Sequence, residues 1–302
     1  MIFQRTLKQQ VSLKGIGLHS GKPATLTIHP ALPNKGILFV RSDIAGSLPI
    51  AAHYKNIVNT QLATTLGRGN VTISTVEHVL AALQGMGIDN ALIEVDGPEV
   101  PIMDGSSAAF CALIEDVGIE SQLQQRSYLK LCRRVEVKIA EKWAVAEPSS
   151  GFSVHGSIDW DHPSIGYQEF HYTEGKTDFA QLAKARTFGF LRDVEALKKM
   201  GLALGGSLEN AVVLDNALVL NPEGLRFPDE FVRHKVLDAL GDFKLAGIGI
   251  RGDFRLHRAG HDLHSLLLTE IFKNSENYEI IGSTQEEIRP ARGRAVVARY
   301  AY

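Results

Sequence analysis

The sequence predicts an α+β protein of two similar halves, each a small sheet with helices on one face, packed helix to helix around a shared site. Three features carry this expectation: alternating or apolar runs of strand length, amphipathic helical stretches between them, and one local pattern that recurs in each half. At 302 residues the chain has room for about two domains of roughly 150 residues, each able to bury its own core.

Thr25-Leu-Thr-Ile28 and Ala91-Leu-Ile-Glu-Val95 are bounded by Gly, Pro and Asn, the pattern of strands. Between them Val76, Val79, Leu80 and Leu83 recur at helical spacing; Ser74 or Thr75 can cap this helix, and Gly85 and Gly87 stop it. A second helix is expected from about Ser106 to Val117. Polar Glu120 to Ser127 reads as a linker, which divides the chain into domains 1–122 and 123–302. Strands resume over Tyr128 to Ile139 and Trp143 to Glu147. Asn90-Ala-Leu-Ile93 then recurs as Asn210-Ala-Val-Val213, each followed by further strand, a Pro-Glu pair (Pro98-Glu99, Pro222-Glu223) and a helix. The correspondence is short and leaves internal duplication open.

Composition removes several classes of function. Apolar residues at 44% and charged residues at 22% fit a folded globular chain and exclude wholesale disorder. The net charge of -2, from 32 Lys plus Arg against 34 Asp plus Glu, lacks the surplus of a general nucleic-acid binder, though a local basic pocket stays open. Cys111 and Cys132 make neither a disulfide framework nor a metal knuckle and are expected in the core, as suits a reducing compartment. No apolar run approaches the ~18 residues of a membrane span, and the start, MIFQRTLKQQVSLKG, carries charge where a signal peptide is apolar. A cytoplasmic monomer is expected. Gly15-Ile-Gly17-Leu-His-Ser20 lacks the third glycine of a dinucleotide fingerprint and precedes a strand, and Gly205-Gly206 lacks the Gly-Lys-Ser/Thr ending of a P-loop.

The sharpest chemical pattern is Phe231-Val-Arg-His234-Lys-Val-Leu-Asp238-Ala-Leu-Gly-Asp242. Four helical residues advance about 400°, so His234, Asp238 and Asp242 follow one face, drifting about 40° per step. A histidine nitrogen and a carboxylate one turn apart can hold one zinc ion, and a catalytic site needs a third protein ligand. Glu77-His78 can supply it: His78 would bind while Glu77, about 100° round the helix, takes a proton from water. By spacing, His261 and His264 form the alternative ligand pair; otherwise His261 can act as an imidazolium held by a carboxylate such as Asp242. Spacing alone leaves these readings open.

Thr75-Val-Glu-His78, Pro101-Ile-Met-Asp-Gly-Ser106, Arg186-Thr-Phe-Gly-Phe190, Gly224 through Asp238 and Ala259-Gly-His261 together resemble the UDP-3-O-acyl-N-acetylglucosamine deacetylases, zinc amidases of lipid A biosynthesis in Gram-negative bacteria. The resemblance runs from Gly15 to the helix after His261, with five motifs in the family's order. It implies one catalytic zinc held by His78, His234 and Asp238 between two similar α+β domains. Glu77 would be the general base, Thr187 would hold the oxyanion, and His261, partnered by Asp242, would protonate the departing amine. The implied partner is a small acylated UDP-sugar. His19, Lys142, Trp160, Phe188, Lys235 and Arg258 match positions that contact such a substrate, with Trp160 where the family often has Phe and Arg258 where it has Lys. Leu191 to Leu214, with Leu197, Met200, Leu202, Leu204, Leu208, Val212 and Val213 around flexible Gly201 and Gly205-Gly206, either packs the core or, as the resemblance implies, forms a passage for the acyl chain. A metal-stabilised binding protein for nucleotide sugars is the competing reading, against which a base beside an open metal position argues.

Overall fold

The computed structural model describes residues 2–282; the tail of the expected second domain, 283–302, lies outside them. The first half comprises β1 (Phe3–Leu7), β2 (Val11–Ile16), β3 (Pro23–Pro30), β4 (Ile37–Arg41), β5 (Ile50–Ala51), β6 (Ile57–Asn59), β7 (Thr65–Arg68), β8 (Val71–Ile73), α1 (Glu77–Gly85), β9 (Ala91–Val95) and α2 (Ala108–Val117). Next come β10 (Ile119–Gln125) and β11 (Tyr128–Leu131). The second half comprises β12 (Val135–Ile139), β13 (Lys142–Glu147), β14 (Phe152–Trp160), β15 (Gly166–Thr173), α3 (Phe179–Leu182), β16 (Phe188–Phe190), α4 (Leu191–Lys199) and β17 (Val212–Leu214). It ends with α5 (Glu230–Phe243), β18 (Gly249–His257), α6 (His261–Lys273) and β19 (Tyr278–Ile281).

The strand pairing reveals the duplication. The first sheet runs β2-β3-β9-β4-β5, with β9 antiparallel to β3 and parallel to β4. The second repeats it as β12-β13-β18-β14-β15, with β18 antiparallel to β13 and parallel to β14, while the start of β18 also pairs with β11. Thus α1-β9-α2 matches α5-β18-α6. The equivalent of β9 is therefore β18 and not the Asn210 segment, whose strand β17 lies outside this sheet and pairs with β16. A four-residue likeness, identical at Asn and Ala, points there; the hydrogen-bond ladder marks the true repeat. Each half also carries an insertion at the same point before its first long helix: the β6-β7-β8 meander before α1, and β16-α4-β17 before α5.

Period-two burial orients both sheets. In β9, Ala91, Ile93 and Val95 are fully buried, and in β18 Ile250, Phe254 and Leu256 face inward. The helices pack between the sheets, with α5 against α1, α6 and β14, so nearly the whole of α5 is buried. Gly241 sets the α1–α5 approach, since a Cβ there would run into the carbonyl oxygen of Glu77. One apolar core runs through both halves, and a smaller one joins Val212 and Leu214 to Phe231 and Val232.

Three local expectations fail for identifiable reasons. Neither Ser74 nor Thr75 caps α1: Val76 precedes the helix, Thr75 has φ +58°, and its hydroxyl donates to Glu99 Oε1 at 3.0 Å. The polar stretch read as a linker is largely strand β10, antiparallel to β1; no residue of it is fully buried, and its Gln122 side chain hydrogen-bonds Asn90 and the Ala31 carbonyl where an apolar residue would otherwise pack. Cys132 is exposed just beyond the end of β11, whereas Cys111 is buried in α2 as expected.

Candidate metal and catalytic site

The first turn of α1 brings Glu77 and His78 against the inward face of α5, which carries His234, Asp238 and Asp242; His261 is the first residue of α6. All six are buried. His234 Nδ1 lies 3.1 Å from the Ala185 carbonyl oxygen, which can only accept, so the proton sits on Nδ1 and Nε2 keeps its lone pair. Burial pushes the His234 pKa down to about 3, so the ring is neutral, the form that binds metal. Its Nε2 lies 3.2 Å from Asp238 Oδ1, and His78 Nε2 lies 3.6 Å from the same oxygen. Burial opposes the Asp238 charge, yet its neighbours, the Lys235 ammonium among them, hold its pKa well below the carboxylate range. Lys235 Nζ bonds Asp238 Oδ2 at 3.0 Å, while buried Oδ1 has no hydrogen-bond partner. Electron-rich atoms from His78, His234 and Asp238 thus lie within 4.8 Å of one another, and this convergence fits a cation.

A second trio, Asp242, His261 and His264, has the same compactness and a different character. Asp242 Oδ2 lies 2.7 Å from His261 Nδ1 and 2.8 Å from His264 Nδ1, distances of ring N–H groups donating to a carboxylate. Protons close this trio. It favours the imidazolium reading of His261 over the His261–His264 ligand pair. Burial would lower the His261 pKa, but the Asp242 carboxylate outweighs it and raises the value to about 10. His261 Nε2 faces Glu77 Oε1 at 3.9 Å. Burial raises the Glu77 pKa, partly offset by His261 and His78, which suits a group that must accept a proton.

A cavity of about 570 Å³ opens over these groups, lined by Glu77, His78, His234, Asp238 and His261. His19, Lys142, Trp160, Thr187, Phe188, Lys235 and Arg258 border it as well, whereas Asp242 sits behind His261. Thr187 is fixed from the first half, its N–H donating to the Gly105 carbonyl at 2.7 Å. Trp160 meets Phe188 edge-on, ring centroids 5.1 Å apart. The His19 amide donates to Glu99 Oε1 at 2.8 Å, and its buried Nε2 is without a partner.

The Leu191–Leu214 stretch divides. Val212 and Leu214 pack in the smaller core, while α4 buries no residue and Met200, Leu204 and Leu208 are exposed. Gly205, expected to be flexible, is a close-approach glycine: a Cβ would run into the Gly17 carbonyl oxygen. The N–H groups of Leu204 and Gly205 donate to the carbonyls of His19 and Leu18, tying this insert to the first half.

Sequence reasoning missed Thr64, His264 as a partner of Asp242, and Glu99. Thr64 lies in Ala-Thr-Thr, which carries no chemical signal, and the fold alone brings it to Asp242, 178 positions away.

Residues 4–273 match the family described as UDP-3-O-acyl N-acetylglycosamine deacetylase. A UDP-3-O-acyl-N-acetylglucosamine deacetylase of Myxococcus xanthus is 50% identical over 286 residues, covering 94% of this chain and 91% of the relative. Proteins of the same name from Haemophilus influenzae and Shewanella loihica are 46% and 47% identical over 294 residues, covering 96% of both chains in each case. The chain belongs to the UDP-3-O-acyl N-acetylglycosamine deacetylase family.

Proposed function

We propose that this chain hydrolyses the acetamide of a UDP-3-O-acyl-N-acetylglucosamine to the free amine and acetate, as a zinc-dependent amidase in the cytoplasm at the committed step of lipid A biosynthesis. The observation that carries this reading is the convergence of His78, His234 and Asp238 beside Glu77, a carboxylate that is not one of the three. We infer two units, 1–122 with Glu77 and His78, and 123–302 with Thr187, His234, Asp238 and His261. Zinc held by the three ligands would supply a Lewis acid and lower the pKa of a water toward ~7.

The remaining chemistry belongs to the chain. Glu77 takes the proton from water as its oxygen attacks the carbonyl. Thr187 donates its hydroxyl to the carbonyl oxygen as charge builds there. His261, kept charged by Asp242, gives its proton to the leaving nitrogen, without which an amide cannot expel its amine. Lys142 and Arg258 supply positive charge for the diphosphate, and Trp160 and Phe188 supply aromatic faces for the nucleoside. The β16-α4-β17 insert supplies an apolar wall for the acyl chain; burying four methylenes at about 0.8 kcal/mol each contributes roughly 3 kcal/mol, or about a hundredfold in kcat/KM.

The test combines metal analysis with acetate release from the acylated nucleotide sugar and from plain UDP-N-acetylglucosamine. One zinc per chain, chelator-sensitive acetate release and preference for the acylated compound are expected. Full metal loading with no acetate released would leave only a binding protein, and equal rates on both compounds would remove the acyl passage.

A further inference from the structure

We infer that Thr64, from the β6-β7-β8 insertion, is a positioning residue that ties the base and the acid of the reaction into one ring of three hydrogen bonds and one ion-pair contact. Its N–H donates to Glu77 Oε2 at 3.0 Å, and its hydroxyl donates to Asp242 Oδ1 at 2.6 Å. Thr64 thus occupies one oxygen of each carboxylate. The other oxygen of each faces the two nitrogens of the same imidazole: Asp242 Oδ2 at 2.7 Å from His261 Nδ1, and Glu77 Oε1 at 3.9 Å from His261 Nε2. Three hydrogen bonds and the 3.9 Å charge contact link Thr64, Glu77, His261 and Asp242, and every member is buried, Thr64 to 1% exposure.

The backbone holds Thr64 in place. Its carbonyl accepts the N–H of Val76, the residue that leads into α1, so the insertion and the first turn of that helix move together. Among the described residues its hydroxyl is the one donor to Asp242 Oδ1, since both histidines donate to Oδ2. Removing it leaves a buried anionic oxygen without that donor and lets the carboxylate turn, carrying the His261 ring with it. Thr64 itself touches no reacting atom; it acts through the orientation of the two groups that do.

This inference rests on the deacetylase reading of the site, and the experiment separates the two. Acetate release, KM, zinc content and melting temperature are measured for the wild type, Thr64→Val, Thr64→Ser and Asp242→Asn, and for the double variant Thr64→Val with Asp242→Asn. Thr64→Val is expected to lower kcat by about tenfold to a hundredfold, the range for one hydrogen bond to a charged group, with KM and zinc content unchanged. Thr64→Ser, which keeps the hydroxyl, should recover most of the loss. In the Asp242→Asn background the valine should cost less than about threefold, because the partner it orients is already altered. If valine unsettles folding, Thr64→Ala compared with Thr64→Ser asks the same question. Wild-type kcat in Thr64→Val, a serine variant as slow as the valine one, or full additivity with Asp242→Asn would each overturn the inference. A wild-type protein that releases no acetate would instead overturn the deacetylase reading.

Discussion

The two halves share a strand order and a helix order, yet they use equivalent positions differently. Helix α1 contributes Glu77 and His78 from its first turn alone, whereas its counterpart α5 contributes His234, Asp238 and Asp242 along three turns. Helix α6 opens on His261, but its counterpart α2 opens after Ser107, whose hydroxyl donates to the His78 carbonyl at 2.7 Å. One half therefore brings a carboxylate and an imidazole from a single turn, the other a long buried face and the His261 imidazole. The insertions diverge in the same way, for each enters its unit at the same point and reaches a different side of the cavity: residues 59–62 on one side, Thr187 and Phe188 on the other. A common scaffold fixes where the helices meet, and the chemistry is then divided between them.

The largest effect tests whether the metal belongs to both halves. His78→Ala and His234→Ala should each lose zinc and lower turnover by more than about four orders of magnitude, beyond what a general base alone contributes. Normal zinc content in His78→Ala, with loss in His234→Ala, would assign the metal to the second half alone and break the comparison. Glu77→Gln should keep the metal and lose about two to four orders of magnitude in kcat. Retention of metal with near-normal turnover would leave the first half a ligand and no base.

Next in size is the acid. In the proposed reaction the protonated His261 is the active form, so the rate should fall as pH rises through its pKa. Burial lowers that pKa and Asp242 raises it to about 10 in the chain by itself, and a dication bound alongside would draw it back toward the ordinary 6.5. The alkaline limb of kcat/KM should therefore lie between these values, and His261→Gln should abolish it; an unchanged limb in that variant would move the acid elsewhere. The smallest effect probes the helix contact itself. Gly241→Ala forces α5 off the Glu77 backbone, which should cost about 1–3 kcal/mol of stability and about tenfold in kcat. An alanine variant with wild-type melting and turnover would show that the close approach is not what aligns the halves.

Much of this was legible in the chain because it is local. The four-residue spacing of His234, Asp238 and Asp242 is a property of one helix, and so is the placement of Glu77 beside His78. The capping of α1 was not legible, since Thr75 gives its hydroxyl to Glu99, a partner 24 positions away that no local rule names. The repeat was misplaced because pairing, which defines it, leaves little trace in residue identity: β9 and β18 share neighbours and direction while their sequences, ALIEV and GIRGDFRLH, differ. Thr64 shows the same limit at the site, where its significance lies wholly in contacts to residues 77 and 242.

The packing of α1 directly on α5, its topological counterpart, has a consequence in terms of symmetry. Two identical copies meeting through the same helix would form an isologous pair, in which every side chain at the contact appears twice about the axis. Such a pair offers two bases or two acids, two equal ligand sets or none. The proposed set of three dissimilar ligands, one base and one acid around a single point would require that the axis be broken. Joining both copies in one chain allows this, because each can then change without changing the other.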